Sequence, residues 1–226
     1  VPLGTQHVAD EQCKKWSKEW LVGCAPQPPP PSWPRDMGAP LPAPSVVDFR
    51  RACLAFPGGV GLGWDKTHPR TFLRLSHDAI KALLRILVLA EILGAWPACI
   101  GCLVVVLLPK PDGGFRPIGL LPALPRVWSR ARRDVALQWE SMQSRKYLYA
   151  GVARGSTVAA WKQAARAELA SALKVDYGQA LLDLVKAFEP IPHDVLVREA
   201  AALGYPGYMI KLAVATYRMT RVLRVG

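Results

Sequence analysis

Three groups of residues in this chain have the types and spacing to do chemistry. Asp183 sits near the end of an otherwise apolar run, Gln179 to Leu184 (QALLDL). A carboxylate on a buried strand is costly unless a cation compensates it, and the plain account is a helix cap or an ion pair with Lys186. Lys110 and Arg116 flank an Asp-Gly turn, so both cations can face one side of a hairpin; the plain account makes them solvated hairpin charges. Arg126, Arg130 and Arg133 share one face if the segment from Arg126 to Gln143 is helical, an arrangement suited to a phosphate backbone. A solvated helix face is the plain account there. Cys99 and Cys102 form a lone Cys-x-x-Cys with no second pair at zinc-finger spacing, which argues against zinc.

The composition limits what these groups can serve. With 226 residues, 51% hydrophobic and 20% charged, the chain can bury a core and is not disordered as a whole. Its 29 Lys and Arg against 17 Asp and Glu give a formal charge of +12, which favours a polyanionic partner, nucleic acid being the commonest. Five cysteines at irregular spacing argue against a disulfide-built secreted domain, and an intracellular protein is expected. The chain opens on Val1 and closes on RVLRVG, which reads as a strand cut off at its turn, so an internal fragment of something longer is expected.

Periodicity then supplies the elements that must position these groups. Residues 25–44 hold nine of the 21 prolines and should form an extended linker, preceded by a short amphipathic helix over Gln12 to Val22 in a loosely attached arm. Ser76 can cap a helix running to about Leu93, with Ile80, Leu83, Leu84, Leu87 and Val88 on one face. LVVVLL (Leu103 to Leu108) and RPIGLL (Arg116 to Leu121) predict two strands of a hairpin. Helices follow over Arg126 to Gln143, over Ser156 to Leu173 with Ser156 as cap, up to Leu203, and over about Tyr208 to Met219, before a terminal strand. The window from Ile86 to Leu108 carries one formal charge, Glu91, and is long enough to span a bilayer. Pro97, Gly94, Gly101 and the switch to a β-branched run favour a buried helix followed by a buried strand, and no membrane partner is expected.

The segment LLDLVKAFEPIPHDVL (Leu181 to Leu196) resembles the first catalytic motif of reverse transcriptases, especially those of non-LTR retrotransposons and group II introns. VVVLLPKPDGGFRPIGLL (Val104 to Leu121) resembles the fingers hairpin of the same enzymes, and GVARGST (Gly151 to Thr157) resembles the Gly-rich stretch between the two. The three stand in the family's order and cover roughly Gly61 to Gly226; GLGWDKTHPR (Gly61 to Arg70) matches the family's opening only loosely. The resemblance implies an α+β fold of polymerase fingers and partial palm, with a β-hairpin, several amphipathic helices and a small antiparallel sheet carrying Asp183 on its central strand. Residues 1–45 would be an N-terminal arm and Pro-rich linker, and 46–226 the fingers and partial palm.

The activity so implied is RNA-directed DNA polymerisation, in which two Mg2+ ions about 4 Å apart clamp the attacking and leaving oxygens, with Mn2+ as an alternative. By resemblance Asp183 bridges the metals and the Leu184 carbonyl is a second ligand. Lys110 and Arg116 would pair with the triphosphate, and Phe188 would lie under the incoming sugar and reject a ribose hydroxyl by bulk. The partners would be an RNA template, a DNA primer and deoxynucleoside triphosphates. His193 matches a residue that starts a helix and is assigned to packing or capping. Glu189 stands where the motif usually has Asp, and no aromatic-x-Asp-Asp motif occurs, so the fragment alone should be inactive. The alternative is a non-catalytic RNA-binding module derived from such an enzyme.

Overall fold

The computed structural model describes residues 4–20, 31–111, 113–149, 155–180, 182 and 191–224. Among them the fold is mixed α and β, with several helices and one three-stranded sheet. Contacts divide the chain into two compact units, one of residues 1–134 with 188–226 and the other of 135–187.

The first unit is organised by its sheet. Strand β1 (Cys102–Pro109) pairs antiparallel with β2 (Phe115–Leu120), Val104 opposite Leu120 and Leu108 opposite Arg116, as the Asp-Gly turn predicts. The terminal strand, β3 (Thr220–Arg224), lies on the other side of β1 and runs parallel to it, with Val104 beside Val222. The sheet is therefore mixed, not antiparallel, because β3 returns by a long crossover instead of a hairpin. Alternation turns Leu103, Val105 and Leu107 into the core, where Met219 and the side chain of Trp16 meet them.

Trp16 belongs to helix α1 (Gly4–Trp20), which is longer than the segment its amphipathic pattern predicts. Only 6% of Trp16 is exposed. The N-terminal helix is thus anchored to the sheet's core through Trp16 and is not a loosely attached arm, since burying a tryptophan removes a large apolar area from water. Residues 31–45 form no helix or strand, in keeping with their prolines.

Helix α2 (Val46–Leu54) starts at Ser45, whose hydroxyl accepts from the Asp48 amide, and buries Phe49, Ala52 and Cys53. A 3-10 turn (Pro69–Arg74) leads into α3 (His77–Leu93), capped by Ser76 as the sequence predicts and burying Ile80, Leu84, Leu87, Ala90 and Glu91. Gly94 closes α3 in the left-handed region at φ 66°, and Lys211 donates to the Ile92 carbonyl at 2.9 Å. A short 3-10 turn (Ala98–Ile100) then enters β1, so the apolar window from Ile86 to Leu108 is a helix end, a turn and a strand. Among the described residues no helix is long and apolar enough to cross a membrane.

After β2 the expected single basic helix is two, α4 (Ala123–Ala131) and α5 (Arg133–Met142), and the interruption falls at Arg132. Arg132 is 4% exposed: its Nε and Nη2 donate to the two oxygens of Glu91 at 2.6 and 2.7 Å, and its Nη1 donates to the Pro42 carbonyl at 2.8 Å. Trp128 Nε1 donates to the same Glu91 carboxylate at 2.6 Å, and its ring meets Trp96 edge to face. The only formal charge of the apolar window is therefore the acceptor of a buried cluster. Helices α7 (His193–Ala202) and α8 (Gly207–Tyr217) complete this unit, close to their predicted extents.

The second unit holds most of α5 and helix α6 (Ser156–Ala172). Ser156 is the first residue of α6 and not its cap; Gly155, in extended conformation, holds the cap position without a side-chain bond. Of the predicted strand over Gln179 to Leu184, the described residues Gln179, Ala180 and Leu182 form no strand and lie exposed.

Candidate nucleic-acid interface

The hairpin tip is shaped by its backbone. Lys110 donates its amide to the Gly114 carbonyl at 3.1 Å and Gly113 donates to the Lys110 carbonyl at 3.1 Å. Gly113 and Gly114 both take positive φ, 88° and 80°, a conformation that costs a residue with a Cβ but not glycine. The register pairs Arg116 with Leu108, and continuing it sets Lys110 opposite Gly114. Alternation then brings Lys110 and Arg116 to the same face of the hairpin, the one opposite Leu103, Val105 and Leu107, and both are exposed. The backbone register thus allows the sequence-predicted pair of cations to share one face.

The arginines of α4 have a more divided role. A loop over 55–61 follows α2, and carbonyls of the helix end and the loop are taken up by cations from elsewhere in the unit. Arg70 donates to Leu54, Arg130 to Ala55 and Arg126 to Gly61, at 3.1, 3.1 and 2.7 Å. His68 Nε2 lies 3.0 Å from the Pro57 carbonyl. Arg126 and Arg130 both lie over the Phe56 ring, at 5.2 and 5.3 Å from its centroid. Burial pulls Arg126 below the ordinary guanidinium range against the opposing effect of Asp65. Arg126 therefore works mainly to pin the loop, while Arg130 keeps an exposed edge.

The residues just after that loop fix the start of α4. Pro122 stands at its cap position and offers no side-chain acceptor, so Asp65 supplies one from far upstream, accepting from the Ala123 amide at 2.8 Å. Gly63 lies so close that a Cβ there would come within 2.6 Å of the Leu121 carbonyl oxygen. The Gly61-to-Arg70 segment, which the sequence matches only loosely to a polymerase opening, has this structural duty.

Arg133 joins Arg130 at a hollow of about 390 Å³ between α2 and α4, lined by Asp48, Arg51, Ala52, Ala55, Arg130, Ala131, Arg133 and Asp134. Arg51 escapes the sequence reading, because it stands on a different helix and nothing local marks it. Asp48 accepts from the Ser45 hydroxyl and forms an ion pair with Arg51, and these contacts, the Ser45 bond foremost, hold its carboxyl below the usual carboxylate range.

Asp183, Leu184 and Phe188, the residues on which the metal and sugar roles rest, lie outside the described residues, as do Lys186 and Glu189. Among the described residues no group of three or more His, Cys, Asp or Glu could hold a metal ion. His193 stacks on Tyr217 with ring centroids 6.1 Å apart, which agrees with a packing role. Burial, with Arg218 and Arg221 adding to it, holds its imidazole below the ordinary histidine value. Cys99 is exposed and Cys102 half-buried as free thiols, while burial pushes the Cys53 thiol up to about 11 and leaves it inert near neutrality. No protein-family model matches the chain, and no curated protein matches it significantly.

Proposed function

We propose that this chain is the fingers and first palm segment of an RNA-directed DNA polymerase of the retroelement type, handling an RNA template, a DNA primer and deoxynucleoside triphosphates. The observation that carries the reading is the hairpin: its register puts Lys110 and Arg116 on one face, both exposed, either side of a glycine turn, within the segment that resembles the polymerase fingers. Two cations so placed offer a point charge and a planar fork to a triphosphate, whose negative charge grows on the departing pyrophosphate. The net charge of +12 and the exposed Arg130 and Arg133 support a nucleic-acid partner.

In this reading Asp183 and the Leu184 carbonyl would hold Mg2+, which supplies charge stabilisation for the in-line transfer when bound, and Phe188 would select against ribose. The test on the chain itself is retention of an RNA–DNA hybrid. Affinity should fall steeply with salt, and substituting Arg130 and Arg133 should weaken it; retention that ignored salt would overturn the reading. Binding by the full-length protein without primer extension would favour the non-catalytic RNA-binding alternative.

A further inference from the structure

We infer that the hollow between α2 and α4 is a phosphodiester-binding site in which Arg51, Arg130 and Arg133 grip one stretch of nucleic-acid backbone. The inference rests on the nucleic-acid reading above and adds to it a place and a residue that the sequence does not point to.

The three guanidiniums come from two sequence regions and line one depression of about 390 Å³, room for a phosphate with its sugar. Each guanidinium has five N–H donors in a rigid fork that matches phosphate oxygens. Arg130 is pre-aimed: one donor is fixed on the Ala55 carbonyl and its guanidinium carbon lies over Phe56, while the residue stays exposed and keeps further donors. Holding one member of the set in place reduces the ordering cost on binding. Arg51 is tied to Asp48 across one helical turn with 67% of its side chain exposed, and surface pairs of this kind contribute little, so it can turn toward an incoming anion cheaply. Arg70, on the neighbouring Leu54 carbonyl, adds positive potential at this end of α2.

Two carboxylates, Asp48 and Asp134, also line the hollow, which leaves three cations against two anions there. That balance explains why the site would act through fork geometry and a long polyanion, not through a concentrated charge. It also provides a test whose sign misfolding cannot imitate. Asp48 is engaged with Ser45 and Arg51, whereas Asp134 opens α5 in its first turn and can lose its charge without disturbing α2.

The experiment measures binding of the whole chain to a fluorescent RNA–DNA hybrid across a salt series. Arg51→Gln with Arg133→Gln should bind roughly tenfold more weakly near physiological salt, with a log–log salt slope shallower by about 1.8. Asp134→Asn should bind about twofold more tightly. Unchanged affinity and slope in the double variant would overturn the inference while leaving the nucleic-acid reading intact; absence of salt-dependent binding by the unsubstituted chain would remove that reading itself. Displacement of the hybrid by polyglutamate as readily as by unlabelled RNA would also overturn the inference, by assigning the hollow to an acidic protein.

Discussion

Glu91 and Arg132 meet through two parallel hydrogen bonds inside the first unit, and the helix that carries the arginine is interrupted at that residue. A buried charge left without its partner costs far more than the pair contributes. Glu91→Gln alone should therefore lower unfolding stability by about 3–5 kcal/mol in urea titrations, whereas Glu91→Leu combined with Arg132→Met should cost much less. Equal losses from the single and the paired replacement would contradict the coupling.

The N-terminal helix gives a second test. Trp16 lies against Leu103, Val105, Leu107 and Met219, so Trp16→Ala should cost about 3–5 kcal/mol in the same assay. A loss under about 0.5 kcal/mol, the range of ordinary surface substitutions, would show that α1 is not part of this core.

His193 gives the fold an acid limb. Burial, then Arg218 and Arg221, lower its pKa in the folded state, with Asp194 opposing them and Tyr217 stacked on the ring. The unfolded chain therefore binds more protons below about pH 6.5, so this contribution to stability is complete above that value and is lost as pH falls from there through the lower folded-state pKa. His193→Phe keeps the stacking and should flatten the stability profile below about pH 6.5. An unchanged acid limb in that variant would assign it to other groups.

Local signals made part of this structure legible in the sequence. Ser76 and the Ile80–Leu84–Leu87 spacing define α3, and the Asp-Gly turn between β-branched runs defines the hairpin. Beyond helix ends such as Gly155 before α6, the misreadings share one cause, that their determinants lie far apart in the chain. β3 finds β1 across a crossover of more than a hundred residues, Asp65 caps α4 from far upstream, and Arg51 reaches the Arg130 hollow from another helix. One such pairing did leave a trace: Glu91, alone in an apolar window, needed a cation, and Arg132 lies off the face shared by Arg126, Arg130 and Arg133. The site was legible in the same uneven way. The hairpin register puts Lys110 and Arg116 on one face, but helical spacing could not tell that Arg126 would be consumed by the Gly61 carbonyl and Phe56.

The most direct test of the polymerase reading is Mg2+-dependent primer extension on an RNA template by the full-length protein that contains these residues. The unsubstituted protein should extend the primer, and Asp183→Asn should reduce extension by roughly a thousandfold or more while leaving hybrid binding in place. Extension at an undiminished rate by the Asp183→Asn protein would contradict the account.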